Sequence, residues 1–251
     1  MELKKSWINA IDNRKSRRTY TEEDVNEKDV KILKELIDNI NKGTKLNIQY
    51  IKDGKDGISG FKASYGMISK AKSFIALVGD KNIKNYKEKL GYYGESIVLE
   101  ATSLNLGTCW IGGTYKKEEC KKYIKFNENE ELVCIIAIGN TDRDLSIKEK
   151  LVKTLNKNEK SFDDILISHN KEIPSWVEVG INYVSKAPSA LNKKPVGYKL
   201  KDNKVEATII KENHGYEKID LGISMLHFEL GAYSEGYIGK WKYKNGEYIF
   251  Y

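Results

Sequence analysis

The sequence predicts an α+β fold built from two diverged half-domains that face each other as an internal pseudodimer. Three observations carry this expectation. Helical periods alternate with short strand-like runs along the chain. The order of elements partly restarts after a charged stretch near residue 150. The halves can also be laid over each other, LIDNINKG (36–43) on GINYVSKA (180–187) with matching apolar positions, and YIKDGK (50–55) on KLKDNK (199–204). A repeated unit of this kind implies two halves across a pseudo-twofold axis. The expected division is 1–150 for the first half, 151–171 for a linker and 172–251 for the second half, together one compact unit.

Each element follows from a local pattern. SWINAI (6–11) reads as a short amphipathic helix with Ser6 as its N-cap. In NEKDVKILKELIDNI (26–40), Asn26 caps a helix with Asp29 at the third position, and Val30, Leu33, Leu36, Ile37 and Ile40 form one stripe. KLNIQYI (45–51) alternates like a strand, and the continuous apolar run KSFIALVG (72–79) reads as a buried one. GESIVLEATSLNL (94–106) is expected to be a helix ended by Gly107 in a left-handed position. TCWIGG is a short strand and turn, and LVCIIAIGN (132–140) a central strand. The stretch RDLSIKEKLVKTLNKNEKSFDD reads as a helix and linker. Beyond it, SWVEVGINYVSKAP is a helix and VGYKLKDNKVEATIIK two strands. KIDLGISMLHFELGAYSEG is a helix, and YIGKWKYKNGEYIFY a terminal hairpin turning at Asn245-Gly246.

Composition bounds the function. With 40% hydrophobic and 31% charged residues over 251 positions, the chain can bury a sizeable core. No stretch approaches a membrane span, and the N-terminus lacks an apolar signal core, which predicts a cytoplasmic protein. Cys109, Cys120 and Cys134 show no CxxC spacing, so neither disulfides nor a metal site is expected. The net charge of +7 comes from lysines interleaved with carboxylates. That pattern reads as a solvated surface, and no nucleic-acid partner is expected.

One segment stands out. SKAPSALNKKP (185–195) holds two of the three prolines, between a helix-like and a strand-like run. A stiff, polar, cation-bearing corner is an unusual plain connection. Near the N-terminus, AIDNRKSRRTY (10–20) places Arg14, Lys15, Ser16 and Arg18 at the end of a short helix, as charge-assisted donors for an anion. LEATSLNLGTCWIGG (99–113) ends in Gly112 and Gly113.

These three segments, in this order, resemble the nitroreductase family of FMN-dependent enzymes. The first resembles its R-[RK]-S-x-R-x-[FY] signature, the second its later helix and flavin loop, and the third its A-P-S-x-x-N-x-Q-P-W segment. The resemblance implies that Arg14, Lys15, Ser16 and Arg18 hold the FMN phosphate, with Lys148 and Lys150 closing on it. It implies that Gly112 and Gly113 approach flavin N5, and that Ser64, Tyr65 and Gly66 contact the pyrimidine end. Pro188, Ser189 and Asn192 would complete the ring's surroundings. The chain departs from the family at Lys194, where Gln is usual, and at Val196, where Trp is frequent.

In ordinary members the Arg-Ser and Ala-Pro-Ser segments of one flavin site come from two subunits. Here the first half carries only the former and the second half only the latter. The chain is therefore similar to the subgroup built as single-chain pseudodimers, so a monomer suffices to form one composite site. The implied activity is ping-pong hydride transfer from NAD(P)H to FMN and on to an electron-poor acceptor such as a nitroaromatic or quinone. No residue is assigned a catalytic acid-base role. Two alternatives remain open at this stage: a non-catalytic FMN-binding or flavin-handling protein, and a flavin-free remnant that binds another anion or nucleic acid.

Overall fold

The computed structural model describes residues 1–58, 68–155, 160–244 and 246–251. Two sheets and two long central helices organise them. In the first half, α1 (Lys5–Asn13) and α2 (Glu27–Thr44) precede β1 (Gln49–Ile51), α3 (Lys55–Ile58) and β2 (Ser73–Asp80). Then come α4 (Tyr86–Ser103), β3 (Gly107–Ile111), α5 (Lys117–Lys121), β4 (Glu130–Gly139) and α6 (Ile147–Leu155). The second half holds α7 (Phe162–Ile165), β5 (Leu166–His169), α8 (Ser175–Lys186), β6 (Val196–Lys201) and β7 (Lys204–Ile209). It ends with α9 (Glu217–Ser234), β8 (Trp241–Lys244) and β9 (Glu247–Phe250). The sheets run β1-β2-β4-β3, all antiparallel, and β5-β6-β7-β9-β8, with only β5-β6 parallel.

Helix α4 lies on the first sheet, α9 on the second, and the two helices pack on each other. Both are buried on most of their surface, so neither shows the single apolar stripe of a surface helix. Glycines set their approach. A Cβ on Gly91 would land on the Ile219 carbonyl oxygen, and one on Gly222 on the Glu88 carbonyl oxygen. The contact is reciprocal, because each glycine lies three residues after the carbonyl that its counterpart meets. Helix α1 packs on α4, and α8 packs on α9.

The Asn26 cap forms as expected, its side chain accepting from Asp29 N, and all five stripe residues of α2 are buried. Other expectations shift for identifiable reasons. Lys4, not Ser6, is the N-cap of α1, and it makes no side-chain capping bond. Lys45 takes a left-handed conformation (φ 59°) to end α2, so the strand expected from 45 shrinks to Gln49–Ile51. Helix α4 begins at Tyr86 rather than Gly94, since Gly91 and Gly94 weaken the local signal yet are needed for packing. It ends before Asn105, which takes the left-handed turn (φ 61°) expected of Gly107. Gly107 instead opens β3, where a Cβ would lie 3.0 Å from the Arg17 Cβ.

The stretch 151–171 contributes α7, with a Ser161–Asp164 capping box, and the edge strand β5. Asn245 of the expected hairpin turn lies outside the described residues. Among the described residues no helix is long and apolar enough to cross a membrane.

Candidate functional site

The Arg-Ser segment is laid along the free edge of the first sheet. Arg14 leaves α1 in extended conformation. Ser16 then bridges in parallel to Thr108 of β3, and Arg17 N donates to Thr108 O at 2.8 Å. Thr19 bridges to Ser69, and the Tyr20 hydroxyl donates to Arg17 O at 2.9 Å. Extended backbone alternates its side chains, so Arg17 and Thr19 face one way while Ser16 and Arg18 face the other.

The first face is an internal anchor. The buried Glu149 carboxylate accepts from Arg17 Nε (3.1 Å), Arg18 N (2.6 Å), Thr19 N (3.3 Å) and Ser146 N (2.7 Å). Burial alone pushes this carboxyl up, but the bonds from Arg18, Ser146, Arg17 and Thr19 overcome it and hold the pKa at about 2. Lys148 and Lys150, expected to close on a phosphate, are exposed on α6. It is Glu149 between them that touches the Arg-Ser segment, through its carboxylate, because a helix turns adjacent side chains onto different faces.

The second face carries the candidate anion donors. Positive charge from Arg18 and Arg14 opposes the burial-driven rise of the Cys109 thiol on β3. Arg18 makes a 3.3 Å bond to Ser16 O. Arg14 Nε is buried without a hydrogen-bond partner and lies 3.9 Å from Glu95 Oε1. Glu95 is fully buried in α4 and accepts from Trp110 Nε1 at 2.9 Å. His227 of α9, also fully buried, sets Nε2 2.9 Å from Glu95 and Nδ1 3.2 Å from Tyr183 O. Both ring nitrogens thus face oxygen atoms. The Arg14 guanidinium and the His227 ring thus border one buried carboxylate, and the buried Arg14 Nε makes no hydrogen bond. Lys15 is exposed.

Gly112 and Gly113 follow β3, about 14 Å along the strand from Thr108 at ordinary extended rise. A Cβ on Gly112 would meet the Tyr216 ring at 2.7 Å, and one on Gly113 the Tyr216 hydroxyl at 2.9 Å. The corner is joined to both regions. Lys186, at its start, pairs with Asp12 of α1 at 2.5 Å, and Ala187 is buried in the core shared with α1 and α4. Pro188 and Ser189 are half-buried, and Ser189 Oγ accepts from Lys194 N at 2.9 Å. Asn192 sits in a short 3-10 turn at φ 52°.

The fold therefore brings Arg14, Ser16 and Arg18 together beside β3 and ties the start of the corner to the helix that carries Arg14. It does not bring the Lys15, Lys148 or Lys150 side chains into contact with that cluster. Ser64, Tyr65 and Gly66 lie outside the described residues. Sequence reasoning missed Glu95, Glu149, Asn213, Tyr216 and Asp220. Only Glu149 carried a usable signal, the Ser146-x-x-Glu149 capping box, whose two reciprocal bonds both form. Among the described residues there is no cluster of three or more side chains able to hold a metal ion. The donor set of the Arg-Ser segment fits the phosphate of a ligand such as FMN: it holds two guanidiniums, and the buried Nε of Arg14 makes no hydrogen bond.

The family described as putative TM nitroreductase matches residues 6–232. A solved structure of a putative nitroreductase from Thermotoga maritima superposes with a TM-score of 0.63 at 20% identity, covering 100% of this chain and 95% of that one. That likeness shows a nitroreductase-like α+β fold. Two partial likenesses carry no further argument. A putative NADH dehydrogenase/NAD(P)H nitroreductase from Bacteroides thetaiotaomicron gives a TM-score of 0.47 at 21% identity, over 57% of this chain and 91% of that one. An FMN-dependent nitroreductase from Clostridium difficile gives 0.46 at 21% identity, over 55% and 88%. No protein of curated function matches the chain.

Proposed function

The chain belongs to the putative TM nitroreductase family over residues 6–232, and we propose that it is an FMN-dependent oxidoreductase. In this reading it takes a hydride from NAD(P)H and passes reducing equivalents to an electron-poor acceptor such as a nitroaromatic or quinone. The observation that carries it is the buried Nε of Arg14, which makes no hydrogen bond and lies 3.9 Å from Glu95; Arg14 stands two residues after Asp12, which pairs with Lys186 at the corner.

Arg14 and Arg18, with the Ser16 hydroxyl, would bind the phosphate by charge-assisted bonds. Glu149 holds the strand that carries them, so little ordering remains to be done on binding. Gly112 and Gly113 would offer backbone donors to the ring, and the prolines of the corner keep Ser189 and Asn192 fixed. Bound FMN supplies the redox chemistry, accepting a hydride and returning electrons. The proposed site is composite, with the two halves related as an internal pseudodimer. The reciprocal Gly91–Gly222 crossing of two central helices supports that relation.

The test is spectroscopic. The purified protein, reconstituted with FMN, is expected to show a bound-flavin spectrum that NADH or NADPH bleaches and a quinone restores. Failure to bind FMN at tens of micromolar, about −6 kcal/mol, rejects the flavin reading. Binding without bleaching rejects the oxidoreductase and identifies a flavin-holding protein.

A further inference from the structure

The first turn of α9 holds a buried polar device that the flavin reading leaves unused. Two side chains grip the backbone of one residue at both its N–H and its carbonyl. Ala190 N donates to Asp220 Oδ1 at 2.9 Å, and Ala190 O accepts from Asn213 Nδ2 at 2.9 Å. Asn213 Nδ2 also donates to Asp220 Oδ2 at 2.7 Å, closing the ring. Asn213 is 2% exposed and Asp220 3%.

The backbone immediately after Ala190 is strained. Leu191 (φ 51°), Asn192 (φ 52°) and Lys194 (φ 46°) are all left-handed, a region that L-residues occupy when their surroundings impose it. The Leu191 side chain is 64% exposed, so its own packing does not impose the conformation. The constraint comes through the backbone, from the Asp220–Asn213 grip on one side and the Ser189–Lys194 bond on the other. Asn213 also opens the left-handed turn at His214 and Gly215 that sets Tyr216 over Gly112 and Gly113. One pair of side chains thus connects the corner to the glycine loop.

We propose that Asp220, acting through Asn213, is a positioning residue that locks the corner and the Tyr216 turn into one arrangement, so that flavin binding requires Asp220 as a carboxylate. This rests on the flavin reading above. The geometry gives the reason. Both carboxylate oxygens already face N–H donors, so a proton on either one sets a donor against a donor and opens the grip. The ionisable groups around Asp220 are Glu217 on its own helix, Cys134 from β4 and Lys194 from the corner, whose ammonium hydrogen-bonds Ser185 O. Burial raises the Asp220 carboxyl most, the bonds from Ala190 and Asn213 lower it and Glu217 raises it, leaving it at about 6. The grip is therefore closed above that pH and opens below it.

The experiment uses riboflavin, because the FMN phosphate itself titrates near pH 6. Riboflavin affinity and the Ala190 backbone amide resonance of the ligand-free protein are followed between about pH 5 and pH 8, for wild type and Asp220→Asn. In wild type, affinity is expected to fall about 5-fold on acidification, the worth of one net hydrogen bond, and the amide to titrate in the same range. In Asp220→Asn, affinity is expected to be weak and flat with pH, and the amide stationary. A variant that keeps the wild-type pH profile overturns the proposal, as does a wild-type amide that does not move. If the variant does not fold, the wild-type amide titration decides alone. Absence of both riboflavin and FMN binding at every pH with a titrating amide rejects the flavin reading and leaves the grip standing.

Discussion

Replacing Glu149 by glutamine isolates the contribution of the anchor beneath the Arg-Ser segment. The carboxylate receives Arg17 Nε, Arg18 N and Thr19 N on Oε1, and Ser146 N on Oε2. A glutamine can keep its oxygen toward the arginine, but its amide nitrogen then faces the Ser146 N–H, donor against donor. Arg17, 9% exposed, loses its only anionic partner among the described residues and keeps Thr141 Oγ1, Asp142 O and Asp144 O.

Breaking a buried pair from one side costs about 3–5 kcal/mol. The shift of the Glu149 carboxyl from 4.5 to about 2 corresponds to roughly 3 kcal/mol by linkage. Solvent screening of the neighbouring charges reduces that to about 2 kcal/mol. The sign follows from a depressed carboxylate. The stabilisation is fully present above pH 4.5 and is lost as the pH falls toward about 2. Glu149→Gln is therefore expected to melt roughly 4–8 °C below wild type near pH 7, with the gap closing at acid pH. Circular-dichroism melts of both proteins at about pH 7 and pH 3 measure it. A variant melting within about 2 °C of wild type near neutrality, or a gap that persists unchanged in acid, refutes the anchoring argument.

Three further outcomes are open to measurement. Alanine at both Arg14 and Arg18 should weaken FMN by at least ~100-fold and riboflavin little, since each charge-assisted contact is worth about 1.5–3 kcal/mol; equal losses for both ligands would mean that these arginines do not read the phosphate. Gly222→Ala drives a methyl into the Glu88 carbonyl, so urea unfolding should show a loss of about 3 kcal/mol, and a neutral result would show that the helices can move apart freely. Saturated protein should contain one FMN per chain by flavin-to-protein absorbance, and two would rule out a single composite site.

The parts legible in the sequence are those decided by neighbouring residues. The Asn26 cap and the α2 stripe depend on contacts within one or two turns, and both form as read. The start of helix α4 is not legible, because Gly91 and Gly94 count against a helix locally, while their value lies in the approach of α9 and in the Trp110 side chain that meets Gly94. Strand β5 is equally hidden, being short, mostly exposed, and paired to β6 some thirty positions later. Glu149 is legible only as the capping partner of Ser146, since its bonds to Arg17 and Arg18 reach a segment far earlier in the chain. Asp220 and Asn213 give no sequence signal, since what distinguishes them is the backbone of Ala190 that only the fold brings to them.

The crossing of α4 and α9 also bears on why one site, rather than two, is expected. Matching Gly91 with Gly222 sets Glu95, four residues after the first glycine, against Leu226, four after the second. It sets His227, five after the second, against Ser96, five after the first. On one side of the crossing the helices present Glu95 and His227, bonded at 2.9 Å and bordered by Arg14. On the other they present Ser96 and Leu226, both buried, with the Ser96 hydroxyl already donating to Tyr93 O at 2.7 Å. A buried arginine needs a carboxylate or an anionic ligand near it, and a serine already satisfied beside a leucine offers neither. The helices are alike in how they cross and unlike in what they display there. That difference puts the Glu95 carboxylate beside Arg14 on a single side, while Lys186 of α8 pairs with Asp12 of α1.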